Sequence, residues 1–234
     1  MLESRGLATV AIAAVRAQAE NTRPPRALWT SSQLGRPLGE PEDAAFQRRV
    51  LMAALGLLER TDGPVILDEF HDDPPAWTDH PAWVAPRVAM PGTMPDTPSA
   101  WADAFAAELR SLTPAWERAQ ARFGRTTTGL SFLPLTEWPS FVDRCLAGDL
   151  PLIDGHATTA LGLRFLCDDI KAFCGEAGQA EGPAPSSRQV DTWFWRATIG
   201  GALLQALRRT GMESGNNALK TVSGRMFVPA PWVV

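Results

Sequence analysis

MLESRGLATVAIAAV, residues 1–15, decides the class of the fold. Leu2-Glu3-Ser4-Arg5-Gly6 has the composition of a closing helical turn, polar residues followed by the glycine that most easily adopts the left-handed conformation ending a helix. Leu7 to Ile12 is apolar and partly β-branched, and the pattern predicts a buried strand over 7–15, bounded by Gly6 and by the polar residues after Val15. A strand apolar on both faces belongs to a parallel sheet covered on both sides. The neighbours of this strand therefore have to be found further along the chain.

RALWT (26–30) reads as a second short strand and PVILDEF (64–70) as a third. Between them, GRPLGEP (35–41) is a loop, and Pro41 suits the first turn of a helix. Glu42 and Asp43 favour the same helix start. Phe46, Val50, Ala53, Ala54, Leu57 and Leu58 then recur at helical spacing through residue 60. Residues 1–70 are thus expected to form a partial α/β unit with a parallel-type sheet. Residues 71–98 are dense in proline and read as a long connection, the kind that is often functional or partner-contacting.

From residue 99 the pattern is helical, and 99–234 is expected to be a mostly α-helical domain. Ser99 is a candidate cap for one helix, and Thr113-Pro114 reads as the start of another that Gly124 ends. A short helix is expected within 136–149, a long one over 157–178 and a last one over 186–211, capped by Ser186 or Ser187 and closed by Gly211. The tail, GRMFVPAPWVV, is expected to dock or to pair as a strand.

Bulk composition excludes several roles. Of 234 residues, 22 are Lys or Arg and 26 are Asp or Glu, for a net charge of -4. The basic residues are scattered, so nothing resembles the clustered cations that phosphate backbones require, and no nucleic-acid partner is expected. No apolar run approaches the ~20 residues of a membrane span. The first residues do not have the pattern of a signal peptide. Cys145, Cys167 and Cys174 are odd in number and unpaired in spacing, which fits a reducing cytoplasm better than a disulfide framework.

Several residues could carry chemistry. Cys167 and Cys174 share a helical face with Leu163, Leu166, Ile170, Phe173 and Ala177, so they read as core, as does Cys145. Arg164, Asp168 and Lys171 fall on the opposite stripe, where they can pair. LDEFHDD (67–73) gathers Asp68, Glu69, His71, Asp72 and Asp73 at the carboxyl end of a predicted strand, with Asp79 and His80 following. Ligands of open α/β sheets bind at that end, and a histidine among carboxylates can serve as a general base. The same residues also suit a solvated loop. Their spacing matches no metal signature, so no metal is expected. His156 reads as a capping or surface residue. Trp193 and Phe194 read as core, while Trp195 and Arg196 face elsewhere and are candidates to line a ligand pocket. RTTTGLS (125–131) is a weak phosphate-binding pattern. There is no phosphate loop, GxGxxG, GxSxG or zinc-type cysteine pair, and no cofactor is expected.

LESRGLATVAI, PPRALW, GRPLGEP and FQRRVLMAALGLLE together resemble the C-terminal segment of the selenoprotein B family of glycine, betaine, sarcosine and D-proline reductases. The matching positions are Glu3, Gly6, Thr9, Val10, Pro37, Gly39, Arg48 and Arg49, and the resemblance covers roughly the first 60 residues. In that family a selenocysteine or cysteine in a Gly-rich loop upstream of the first strand attacks the substrate and supports reductive cleavage of a carbon–heteroatom bond. Nothing but Met1 stands upstream of the matching segment here, so the resemblance implies a second polypeptide that carries the missing half of the sheet and the nucleophile. The expectation is one subunit of a heteromeric, reductase-like enzyme acting on a small molecule. Gln33, Arg36, Trp195 and Arg196 are its candidate substrate-binding residues, and His71 is its candidate catalytic residue. A non-catalytic stabilising subunit and a self-sufficient enzyme using the loop at 68–80 are the alternatives.

Overall fold

The computed structural model describes residues 2–32, 36–40, 42–72 and 78–234. The chain forms two compact units, Met1–Asp79 and His80–Val234.

In the first unit, β1 (Ala11–Ala13), β2 (Arg26–Thr30) and β3 (Ile66–Phe70) form a parallel sheet in the order β1-β2-β3. Ile12 stands beside Leu28, and Arg26 beside Ile66. Since alternate residues share a face, Ile12, Leu28, Ile66 and Phe70 line one side. Helix α2 (Ala44–Gly56) lays Phe46, Val50 and Ala54 on that side, joined by Leu57. The Phe46 and Phe70 rings meet edge to face at 5.7 Å. Asp43 caps α2 by accepting a hydrogen bond from the Phe46 N–H, as the acidic start of the segment suggests. Gly39 sits at φ 78, where a Cβ would strike the Phe46 ring, so glycine is required twice over.

The opening turn is a 3-10 turn, Glu3–Arg5, closed by Gly6 at φ 78. Glu3 is its anchor. Its carboxylate accepts from the Thr9 N–H and hydroxyl and from Arg26. The Thr9 amide, then the Arg26 charge, hold that carboxyl below its usual range. The strand expected over 7–15 is confined to Ala11–Ala13, and a helix absent from the expectation, α1 (Arg16–Thr22), follows it. The polar segment is helical because Arg16 pairs with Glu20 one turn on, and it ends at Arg23 in the left-handed region.

The second unit is helical: α3 (Pro98–Phe123), α4 (Trp138–Leu146), α5 (Thr159–Ala177), α6 (Ser187–Ala197), α7 (Ile199–Glu213) and α8 (Asn217–Val222). Its core joins Phe105 and Leu112 of α3, Phe141 of α4, Leu166 and Ile170 of α5 and Leu203 and Leu207 of α7. The cysteines lie inside it, Cys167 and Cys174 fully buried, and Asp168 bridges Arg164 and Lys171 on the outer stripe of α5. Both readings of that helix hold.

Several helix boundaries differ from expectation, and α7 runs past Gly211 to Glu213, with Ser214 as its C-cap. α3 runs through Pro114 as one helix, capped by Thr97 rather than Ser99. Pro114 is exposed, and the Thr113 hydroxyl bonds back to the Leu109 carbonyl, so the interruption falls on the solvent side. The segment 186–211 is instead broken at Thr198, which is extended (φ -126, ψ 150). The Thr198 hydroxyl donates to the Phe194 carbonyl and accepts from the Gly201 N–H, so one side chain ends α6 and caps α7. The Ser186 capping box at the start of α6 is as expected. The tail docks through buried Phe227 and Val228 after a π-helical turn, Ser223–Phe227.

The break at Thr198 makes a direct prediction. A Cβ at Gly201 would overlap the Phe194 carbonyl and approach Trp195 Cα to 3.0 Å, both backbone atoms that cannot step aside. Gly201→Ala is expected to cost about 3 kcal/mol in denaturant unfolding. Gly215→Ala, where nothing lies within 4 Å, is expected to cost less than about 0.5 kcal/mol.

Candidate functional site

The carboxyl ends of the parallel strands carry the first unit's chemistry. Arg16 follows β1, Arg36 follows β2, and Glu69, His71 and Asp72 stand at the end of β3. Arg16 donates to Glu20 and, at 3.0 Å, to Glu69, with its guanidinium 5.2 Å from the centre of the Trp29 ring. Trp29 and Glu69 are register partners, so this cluster lies on the face opposite Leu28. Arg49 pairs with Asp72 at 3.2 Å, and Arg36 Nη1 is 2.7 Å from both Glu40 oxygens. Asp68 is tied to Arg60.

His71 is the open group of this set. Its side chain is 82% exposed, and Nδ1 is 3.8 Å from Glu69 Oε1, close enough for attraction and too far for a direct hydrogen bond. An imidazole so exposed can exchange a proton with a bound molecule. Gln33 and Asp73 lie outside the described residues. His80 belongs to the second unit, where its peptide N–H and carbonyl are both bonded to the Gln189 side chain. Among the described residues, no three His, Cys, Asp or Glu side chains gather closely enough to hold a metal ion.

The second unit contains carboxylates that the sequence reading missed. Asp169 is fully buried and accepts from the backbone N–H groups of Gly129, Leu130 and Ser131 and from the Ser131 hydroxyl. It thereby fixes the 125–131 loop, which holds a carboxylate rather than a phosphate. His156, expected as a capping or surface residue, is buried. Its ring stacks between Phe132 and Phe165 at 5.0 and 5.1 Å, and Nε2 is 3.0 Å from the Ser131 carbonyl. A carbonyl only accepts, so Nε2 carries the proton. Ser131, His156 and Asp169 have the residue types of a hydrolytic triad, but the serine hydroxyl serves the aspartate and the histidine serves the backbone. That wiring is structural.

Glu108 of α3 accepts from the Ile199 and Gly200 N–H groups at the start of α7. Burial pushes its carboxyl up to about 7, against the two amide hydrogen bonds that lower it. The signal for both carboxylates was legible: each falls on an apolar stripe, Glu108 among Phe105, Leu109 and Leu112, Asp169 among Leu166, Ile170 and Phe173. Trp195 and Arg196 come together, but around the tail. Trp195 stacks on Trp232 at 6.4 Å, and Arg196 lies over the same ring at 5.8 Å. Elsewhere in this unit, a cleft of about 340 Å³ is lined by Val84, Pro86, Arg87, Pro114, Arg118 and Glu181. Arg118 and Glu181 pair there at 2.7 Å, and Ser111 contributes the lining's hydroxyl.

The thiols are inert by position. Burial pushes Cys145 up to about 12, and Cys167 and Cys174 well above the ordinary thiol range. An aromatic disulfide reagent is therefore expected to label no cysteine of the native chain and all three, Cys145, Cys167 and Cys174, on unfolding. Rapid labelling of the native chain would contradict this burial. Glu108 gives a pH signature. Because its folded value is raised from 4.5 to about 7, its contribution to stability is full below about pH 4.5 and is lost as pH rises through about 7. The loss should be on the order of 3 kcal/mol, and Glu108→Gln should flatten it in urea titrations across that range.

No protein-family model, no curated protein and no solved structure matches this chain.

Proposed function

We propose that this chain is one subunit of a heteromeric, reductase-like enzyme, in which a partner chain supplies a thiol or selenol nucleophile that cleaves a carbon–heteroatom bond of a small molecule. The observation that carries the reading is the outer edge of β1. It is unpaired among the described residues, and Leu2, Leu7 and Val15 around it are 56%, 56% and 41% exposed. A parallel strand with such an edge is a template for further strands, and the resemblance of residues 1–60 to the reductases supplies the identity of what pairs there. The burial of Cys145, Cys167 and Cys174 supports a nucleophile carried by the partner.

In this complex Arg36 and His71 form one wall of the pocket. A substrate carboxylate competes with Glu40 for Arg36. The partner's thiolate attacks the carbon, the carbon–heteroatom bond breaks, and His71 delivers a proton to the departing heteroatom. A second thiol of the partner then attacks the adduct's sulfur, the carbon–sulfur bond breaks, the carbon takes up that thiol's proton, and the two sulfurs are left as a disulfide. The complex works in the reducing cytoplasm, where three unpaired cysteines persist as thiols. No helix among the described residues is long and apolar enough to cross a membrane.

A stabilising, non-catalytic role is the second reading. It is favoured by the intrachain engagement of the charged groups at the strand ends, Arg16 with Glu69, Arg49 with Asp72 and Arg36 with Glu40. Kinetics of the co-purified complex separate the two. The catalytic reading expects Arg36→Ala to raise KM and His71→Ala to lower kcat, the latter by about 100-fold, with the heteromer intact. Unchanged kinetics in both variants would leave the stabilising role. Failure to recover any heteromer on co-expression with the product of the adjacent upstream reading frame would remove both.

A further inference from the structure

Helix α2 has a second apolar face. Its inner side, Phe46, Val50 and Ala54, is buried against the sheet. On its outer side Leu51, Met52 and Leu55 are 43%, 59% and 50% exposed. Arg48, Met52, Leu55 and Glu59 fall at i, i+4, i+7 and i+11, a single narrow stripe on a helix. The chain continues past Gly56 in a 3-10 turn, Leu57–Glu59, which ends on the exposed Glu59. Ala45 and Gly56 border the stripe and add no bulk.

The charges at the two ends of the stripe are opposite. Neither Arg48 nor Glu59 has an ion-pair partner among the described residues, although Arg49, Arg60 and Asp62 beside them are all paired. Arg48 and Glu59 also stand equally far from the midpoint between Met52 and Leu55. A second α2 laid antiparallel across that midpoint places Arg48 of each copy against Glu59 of the other, and Met52 against Leu55. A parallel arrangement would set arginine on arginine and glutamate on glutamate. The stripe is therefore self-complementary about a two-fold axis, the property an isologous interface requires.

We propose that the outer face of α2 is a self-association surface, on which a second copy of this chain docks antiparallel, with Met52 and Leu55 at its centre and reciprocal Arg48–Glu59 pairs at its ends. The surface is distinct from the β1 edge, so it does not rest on the reductase reading, and it can be tested on this chain alone.

Sedimentation equilibrium of the full chain over a concentration series, at low salt, reads it directly. The wild type is expected to show a reversible monomer–dimer equilibrium. Arg48→Glu and Glu59→Arg should each raise the dimer dissociation constant about tenfold, because two attractions become repulsions. The double variant should return it to near the wild-type value. Met52→Glu should abolish the dimer, with helical content by circular dichroism unchanged because the side chain is exposed. A monomer at every concentration would overturn the proposal. So would a dimer indifferent to Met52→Glu, or one weakened by both single charge reversals and not restored by the double.

Discussion

The first unit depends on the burial of one sheet face under α2. Leu28 and Ile66 lie beneath Phe46, Val50 and Ala54, and the Phe46–Phe70 contact closes the end of that layer. Each completely buried side chain of this kind is worth about 1.5–3 kcal/mol of transfer from water, so the layer fixes the parallel register. Fixing β2 and β3 in parallel brings Arg16, Glu69 and His71 to one end. The same economy leaves the unit small, with β1 as an edge strand and apolar residues around it in water.

The second unit is organised around carboxylates, of which Asp169 and Glu108 are buried. Asp169 gathers a loop of three amides, Glu108 holds the start of α7, and Glu176 accepts from the Trp116 ring N–H and from Thr126 and Thr127. These acceptors satisfy N–H groups that helix starts and tight loops leave without partners, a requirement that burial makes costly to neglect. These carboxylates are thereby engaged in holding the unit together, whereas His71 stands open at the end of β3 in the first unit.

Legibility in the sequence followed the strength of local patterning. The α/β start, α2 and α5 are evident because their apolar positions recur without interruption, and the burial of Cys167 and Cys174 follows from the same spacing. α1 escaped because RAQAENT is short and polar, with its support in a single i, i+4 pair. The break at Thr198 escaped because the apolar period runs across it from Trp193 to Leu207. The Thr198 hydroxyl cap and the packing of Gly201 against the Phe194 carbonyl interrupt the helix. Pro114 misled in the other direction, since a proline on a solvent face does not stop a long helix. At the site, the position of His71 was readable from the strand before it. The pairing of Arg16 with Glu69 was not, because the two lie 53 positions apart and meet only through strand register.

The central claim is that the outer edge of β1 is a pairing surface for a thiol- or selenol-bearing partner. Amide hydrogen exchange over residues 7–13, measured on the chain alone and on the co-purified heteromer, tests it most directly. Alone, the outward amides of this segment should exchange rapidly while those of β2 are protected. In the heteromer the 7–13 amides should become as slow as those of β2. Protection over 7–13 that is already complete in the isolated chain, or unchanged exchange in the complex, would contradict the account.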